Sequence, residues 1–501
     1  MDEQRLRRLQ EIKDLGIESY PYSFNRTHTS KNVHEMKDLV DLSELKGEEE
    51  KHSLITLAGR IMLRRLMGKI AFVHLQDYEG MVQVMCSRDR TCIKDINEPD
   101  RNPLHFLEKQ LDLGDWIGVQ GYVFLTQKGE ITLDVRELCV LSKALRPLPD
   151  KHSGLADKEV RYRKRWLDLI SHREVMDTFL KRSKILSLTR RFFEEKHFLE
   201  VETPILNSLY GGAEARPFTT HLNARSQDMF LRISLEIGLK KLIVGGFDRV
   251  FELGKVFRNE GIDRTHNPEF TMLEAYAVHW DYNDMMNLVE HLFSSLAKSL
   301  SGTTKLTFGS QEVDLSPPWT RLTMKESIYK FKGIDIDQCS TDELRRLSPS
   351  TEGGIETLPR GLLIAHLFEE WVEPNLIQPC HITDHPLETT PLCKLHRAPS
   401  LRKEGFVERF ESFIGGKEMC NAYSELNDPL LQRKLLEDQE QKRASGDEEA
   451  HPSDEEFIES IEQGMPPTGG IGIGIDRLVM LLTQEESIRD VLFFPIMRER
   501  H

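Results

Sequence analysis

Neither a GxxxxGK[ST] segment nor a GxGxxG turn occurs in this chain, so no P-loop and no dinucleotide-binding βαβ unit is expected. No two of its 7 cysteines (Cys86, Cys92, Cys139, Cys339, Cys380, Cys393, Cys420) stand at CxxC spacing, and their number is odd. A zinc centre and a disulfide framework are both disfavoured, which fits a reducing compartment. No apolar stretch is long enough to span a membrane, and residues 1–9 lack the apolar run of a signal peptide. The expected location is therefore cytoplasmic, with no membrane partner. Positive charge is in deficit: a net charge of −15 argues mildly against nucleic-acid binding, although it does not locate patches. No internal repeat is evident.

What is present is a globular composition, 39% hydrophobic and 30% charged, in 501 residues, too many for one ordinary domain. Residues 1–51 are polar and read as a helical extension, with amphipathic helices expected over residues 3–15 and 38–45. Residues 52–145 change character. Strands are expected over residues 54–61, 70–77, 81–86, 116–123 and 131–135, with a helix over residues 103–111 after the third. That is the order of an OB-fold barrel. Arg60, Arg64, Arg65 and Lys69 cluster there, either as a binding patch or as a solvated face. Residues 146–160 carry prolines and read as a stiff linker. A long helix is expected over residues 175–196. Beyond it, strands and helices alternate without a βαβ repeat, which favours a large antiparallel or mixed sheet. Residues 434–456 are acidic and are expected to form a mobile surface loop.

Three segments carry residues suited to chemistry. The strand ending Phe257-Arg258-Asn259-Glu260 turns and returns through His266-Asn267-Pro268-Glu269-Phe270. Alternation puts Arg258 and Glu260 on one face. An arginine fork can grip a phosphate or carboxylate, and a phenylalanine can stack on a base. The hairpin could therefore hold a nucleotide; the same pattern also describes a surface Arg/Glu pair. In Gly469 to Arg477, glycines alternate with isoleucines, leaving one bare strand face for a ligand or for tight helix packing. Glu411 and Glu418 could hold Mg²⁺, which takes few protein ligands, or could lie on an exposed hairpin.

In their order, these segments resemble the class II aminoacyl-tRNA synthetases. Phe198-Leu199-Glu200-Val201-Glu202-Thr203-Pro204-Ile205-Leu206 after the long helix is similar to motif 1 of that class, the Arg258 to Phe270 hairpin to motif 2, and Gly472 to Arg477 to motif 3. Within the class the chain looks like the lysyl-tRNA synthetase family, through Arg146-Pro147-Leu148-Pro149-Asp150-Lys151, Gly211-Gly212-Ala213 with Ala215-Arg216-Pro217-Phe218, and Asn421-Ala422-Tyr423-Ser424-Glu425-Leu426-Asn427.

The resemblance implies an α+β chain: an N-terminal OB-fold barrel that binds an anticodon, then a class II catalytic domain over residues 161–501, mostly antiparallel sheet flanked by helices. It implies activation of L-lysine by ATP with Mg²⁺, transfer to tRNA(Lys), and a homodimer built on the long helix and motif 1. By resemblance, Arg258 and Arg477 are the catalytic arginines. ATP is held by Arg258, Glu260, His266, Asn267, Phe270 and Arg477. Lysine is held by Gly212, Glu236, Arg258, Glu274, Tyr276, Asn421 and Glu425, with Glu425 and Tyr276 on the ε-ammonium. Glu411 and Glu418 hold the metal. Phe72 stacks on an anticodon base, and Gln83 and Glu130 read base edges; for Phe72, core packing is the alternative.

Three departures from the family pattern touch the lysine end: Glu214 in place of a small residue, Ser234-Leu235-Glu236-Ile237-Gly238, and Thr389-Thr390-Pro391-Leu392-Cys393. Sister enzymes for aspartate or asparagine, a protein-lysylating relative and an inactive RNA-binding relative are the rival readings. An aspartate pocket would want a cation where Glu425 and Tyr276 stand.

Overall fold

The computed structural model describes residues 2–38, 53–149, 155–348, 357–444 and 451–498. The helix expected over residues 38–45 lies, but for its first residue, outside them. The chain forms two compact units, Met1–Gly154 and Leu155–His501.

In the first unit, apolar residues alternate along β1 (Ile55–Met67), β2 (Ile70–Gln76), β3 (Met81–Ser87), β5 (Trp116–Leu125) and β6 (Ile131–Ser142). A two-residue β4 (Cys92–Ile93) was not foreseen. The order is β3–β2–β1–β5–β6–β4, and β3 also pairs in parallel with β6, which closes the barrel. Ile55, Leu57, Ala71, Val73, Leu75, Val82, Val84 and Leu133 fill it. The first strand runs to Met67 rather than ending at residue 61. Arg64 and Arg65 break its hydropathy, but they pair across β2 with Val73 and Phe72. The basic cluster divides. Arg60 donates to the Gly114 carbonyl, and Arg64 donates to the Leu107 and Leu111 carbonyls, satisfying the C-terminal end of the helix Pro103–Lys109. Arg65 and Lys69 stay exposed.

The second unit is built on an eight-stranded sheet. Its strands are β7 (Leu199–Glu200), β8 (Arg249–Phe257), β9 (Glu269–Val278), β10 (Thr320–Thr323), β11 (Cys380–Pro386), β12 (Phe406–Ile414), β13 (Lys417–Ser424) and β14 (Thr468–Gly474). Their order is β10–β11–β12–β13–β14–β9–β8–β7, antiparallel except for the parallel edge pairs β10–β11 and β8–β7. The helix Tyr282–Ser301 is opened by Asp281 in a capping box and closed by Gly302 in the left-handed region. Its apolar side packs with Leu273, Ala275, Ile471 and Ile473 in the main core. Because strand residues alternate, Glu274, Tyr276, Gly470 and Gly472 must point to the other face.

The acidic stretch 434–456 departs from the expected loop. Residues 434–444 continue a helix, Pro429–Ala444, that buries Gln432, Leu436 and Gln439 at i, i+4 and i+7. A polar-rich helix with so narrow a buried stripe leaves little periodic signal. His451 is buried, and a second helix, Glu455–Glu462, buries Phe457, Ile458 and Ile461. Residues 445–450 lie outside the described ones.

Candidate active site

Over the bare face of the sheet, bounded by Gly212–Glu214, the start of the helix Glu236–Val244, residues 389–392 and His451, lies a cavity of about 360 Å³. It gathers all fourteen site residues expected of the second unit: Gly212, Glu236, Arg258, Glu260, His266, Asn267, Phe270, Glu274, Tyr276, Glu411, Glu418, Asn421, Glu425 and Arg477.

One end is cationic. Arg258 closes β8, and its Nε donates to the Ile233 carbonyl over 3.3 Å. Its guanidinium carbon lies 5.3 Å from the centre of the Phe270 ring. No carboxylate pairs with Arg258 among the described residues, so its remaining donors face the cavity. Arg477 stands in the first turn of the helix Ile475–Thr483. Its Nη1 donates to the Glu418 carbonyl at 2.8 Å, and its Nη2 lies 3.0 Å from His266 Nε2. Because arginine only donates, His266 Nε2 accepts and its Nδ1–H donates to Asp263 Oδ2 at 2.8 Å. Asp263 also accepts the backbone N–H groups of Thr265 and His266. Glu260 is exposed, whereas Asn267 is buried and donates to the Glu269 carbonyl. Asp476, beside Arg477, ties the motif down: it accepts the Thr271 N–H at 2.7 Å and lies 2.6 Å from Arg182 on the helix Arg173–Glu195.

The other end is anionic and closed. Glu236, Glu274, Tyr276 and Glu425 are all buried. Glu274 accepts the Leu235 N–H at 2.9 Å and the Tyr276 hydroxyl at 3.1 Å. Burial, with Glu236 adding to it, pushes the Glu274 carboxyl up to about 7. Burial pushes Glu425 up to about 8; Lys240 opposes that, and Glu236 adds to it. The same burial holds the Tyr276 phenol well above its ordinary value, so it remains a donor.

Two glycines make the room. A Cβ on Gly470 would stand 1.9 Å from Glu425 Oε1 and 2.5 Å from the Tyr276 ring. Gly212 has φ +84°, and a Cβ there would stand 2.5 Å from Ser234 Oγ. Gly472 is less constrained, its nearest neighbour being 3.7 Å away.

Between the ends, Asn421 is engaged through both amide atoms. Its Oδ1 accepts from Arg409 Nε at 3.1 Å, and its Nδ2 donates to the Tyr423 hydroxyl at 3.1 Å. Glu411 lies 2.5 Å from Arg409 and Glu418 lies 3.2 Å from Arg477. Glu214 accepts from Gln439 at 3.2 Å, so the acid foreign to the family pattern is held by the unexpected helix.

Three residues escaped the sequence reading: Arg409 and His451 in the lining, and Lys240 behind it. Lys240 sits one helical turn after Glu236 and contacts its carboxylate; the i, i+4 spacing was the available signal. Arg409, two residues before Glu411 on β12, was marked by strand alternation. His451 carried none, because it follows a low-complexity acidic run.

In the first unit, Phe72 alternates with buried Ala71 and Val73, is only half-buried and is not part of the barrel's apolar core cluster. His74, two residues on, pairs in register with Gln83, and its Nε2 lies 3.6 Å from Glu130. Glu130 is exposed. Gln83 is buried and donates its amide to Thr132 Oγ1 at 2.8 Å.

An OB-fold barrel followed by an antiparallel sheet, with one arginine at a hairpin strand end and another at a glycine-strand helix start, defines a class II aminoacyl-tRNA synthetase. Family profiles agree. Residues 157–498 match the tRNA synthetases class II (D, K and N), and residues 55–141 match the OB-fold nucleic acid binding domain. The chain is 54% identical to the lysine–tRNA ligase of Chlamydia felis, over 99% of this chain and 96% of the relative. It is 47% identical to that of Moorella thermoacetica, over 99% and 97%, and 46% identical to that of Methanoculleus marisnigri, over 99% and 95%. The chain belongs to the class II tRNA synthetases of the D, K and N group, and within them to the lysine–tRNA ligase family.

Proposed function

We propose that this protein joins L-lysine to tRNA(Lys) at the expense of ATP. The observation that carries the reading is the polarity of one cavity: a closed anionic end, Glu236, Glu274 and Glu425, opposite a cationic end, Arg258 and Arg477. An amino acid with ammonium groups at both extremities and a carboxylate to present to a nucleotide fits that polarity. Glu425 and Tyr276 receive the ε-ammonium, and Glu236 with the Gly212 backbone receives the α-ammonium. Arg258 orients the carboxylate with Asn421. A substrate with an uncharged or acidic side chain would leave Glu425 unpaired in a buried site, which is a strong basis for rejection.

ATP lies with its base against Phe270 and Glu260, its α-phosphate at Arg258 and its outer phosphates toward His266, Asn267 and Arg477. A lysine carboxylate oxygen attacks the α-phosphorus. The bond to the bridging oxygen breaks, giving lysyl-adenylate and pyrophosphate. A ribose hydroxyl of the terminal tRNA adenosine then takes the lysyl group and AMP leaves. No side chain acts as nucleophile; the residues orient the reactants and offset developing charge. Glu411 and Glu418 fit Mg²⁺. Burial, with Glu418 and Glu411 adding to it, pushes the neighbouring Glu373 up to about 7, so this corner holds more acid than its arginines neutralise. When bound, the ion neutralises phosphate charge.

The deciding experiment is ATP–pyrophosphate exchange with lysine, aspartate and asparagine in turn, followed by charging of tRNA(Lys). Exchange with lysine alone, and charging, are expected; exchange driven by aspartate would refute the reading. Phe72, Gln83 and Glu130 meet the anticodon loop in this scheme, since single-stranded bases are read by stacking plus edge contacts. Phe72→Ala should then raise KM for tRNA roughly tenfold, one lost stacking contact, and leave exchange unchanged. Equal loss of both activities would remove Phe72 from tRNA recognition. The protein acts as a homodimer in this proposal. Leu180, Leu199, Ile205, Leu206 and Leu209, on the long helix and the motif 1 segment, are large apolar side chains exposed to 42–49%. Sedimentation equilibrium of the protein and of Leu206→Glu tests it, with a monomeric wild type counting against it. No helix among the described residues is long and apolar enough to cross a membrane.

A further inference from the structure

Lys240 has no solvent exposure; it stands behind the anionic end of the cavity, against the lining carboxylates Glu236 and Glu425. Its Nζ contacts the Glu236 carboxylate and lies 2.5 Å from Glu425 Oε2. Both oxygens of the Glu425 carboxylate are buried, and Lys240 is the one cation paired with it among the described residues. A buried carboxylate with one oxygen, Oε1, left without a partner is costly unless a second cation completes it. The Phe457 ring, 5.9 Å from Nζ, closes the apolar side.

Charge counting gives this arrangement its meaning. Among the described residues, three carboxylates (Glu236, Glu274, Glu425) at the closed end stand against one ammonium, Lys240. The end is two positive charges short, and lysine brings two ammonium groups. An amino acid with one ammonium would leave a buried acid unpaired. With no resident cation, lysine itself would leave one unpaired.

We propose that Lys240 is a specificity-determining and positioning residue: a resident counter-ion that favours the ionised forms of Glu236 and Glu425 and fixes them as the two ammonium acceptors, so that the pocket reaches neutrality only with a substrate carrying two. This rests on the lysine-activating reading above. The groups facing this end come from five segments. Glu236 and Lys240 share one helix; Glu274 and Tyr276 stand on β9; Tyr423 lies on β13, with Glu425 just beyond it. Cys393 precedes β12, and His451 follows the acidic run. Burial and the nearby Lys240 push His451 down to about 4, so it stays neutral and adds no cation at working pH. Lys240 is the only ammonium among these groups. Two facing carboxylates outweigh its burial, and it keeps its proton.

The test is lysine-dependent pyrophosphate exchange by the full chain carrying Lys240→Met, which keeps bulk without charge. KM for lysine should rise roughly tenfold or more, as expected for a lost close charge pair, with KM for ATP within about twofold of wild type. The acid limb of kcat/KM for lysine should move to higher pH, because Lys240 is what holds Glu425 down. Lys240→Arg should return the limb toward its original position. If K240M does not melt as wild type does, K240Q is read in the same way. Unchanged lysine KM with an unmoved limb would overturn the proposal. So would a raised KM with an unmoved limb, which marks a packing role only. If wild type shows no lysine-dependent exchange at all, the activity reading itself has failed, an outcome separate from any effect of Lys240.

Discussion

Arg258→Ala is expected to lower lysine-dependent pyrophosphate exchange by about 10³-fold while the thermal melt and the binding of tRNA(Lys) hardly change. The size follows from the residue's position. Among the described residues its guanidinium has one hydrogen-bond partner, the Ile233 carbonyl, and no carboxylate to neutralise it. It thus serves charge brought in from outside, first the lysine carboxylate and then the α-phosphoryl group as the new bond forms. Loss of one such preorganised donor costs roughly 3–4 kcal/mol of barrier, and each 1.36 kcal/mol is tenfold in rate. The fold tolerates the change because Arg258 lies at the end of β8, beyond the ladder that pairs Val250 to Phe257 with β9. Single-turnover exchange at saturating ATP and lysine separates chemistry from binding. Activity within tenfold of wild type would mean that another group carries the α-phosphate.

The anionic end of the cavity was only half legible in the sequence, and the reason is geometric. Motifs tied to local backbone features could be read directly. Arg258 ends a strand, Gly470 to Arg477 forms a strand–helix junction, and alternation alone sends Glu274, Tyr276 and the glycines to one face. The cavity then brought these segments together as expected. Residues placed by long-range packing carried weaker marks. Lys240 looked like one more charged helix residue until the sheet closed over it. His451 and Gln439 came from an acidic run whose composition concealed a helix, because the buried stripe of that helix is partly glutamine. In the barrel, the strands were found but β1 was cut short. Arg64 reads as surface until its role on the end of the helix Pro103–Lys109 is seen.

Glu425→Gln should cost about 10²- to 10³-fold in kcat/KM for lysine with little change in KM for ATP. The substitution keeps shape and removes charge. A bound lysine would then hold its ε-ammonium in a buried site without its counter-ion, at a penalty of roughly 3–5 kcal/mol. The pH profile gives a second, independent check. Glu274, at about 7, and Glu425, at about 8, both stand above the ordinary 4.5 of a glutamate. Glu425 must be ionised to accept the ε-ammonium, and a protonated Glu274 leaves the pocket one negative charge short of its bound substrate. In wild type, kcat/KM for lysine is therefore expected to fall as pH drops from about 8 through 7. In the folded empty state these acids keep protons that the unfolded chain has already released. Stability is therefore lost as pH rises from about 4.5 to about 8, and lysine restores it. Lysine should thus raise the melting temperature more at pH 8.5 than at pH 6. Glu425→Gln removes the upper of the two titrations, and it also removes a neighbouring negative charge from Glu274. The acid limb should move to lower pH, opposite to the shift expected for Lys240→Met. Limbs that moved the same way in both variants would break the link between this buried carboxylate and the substrate's positive tail.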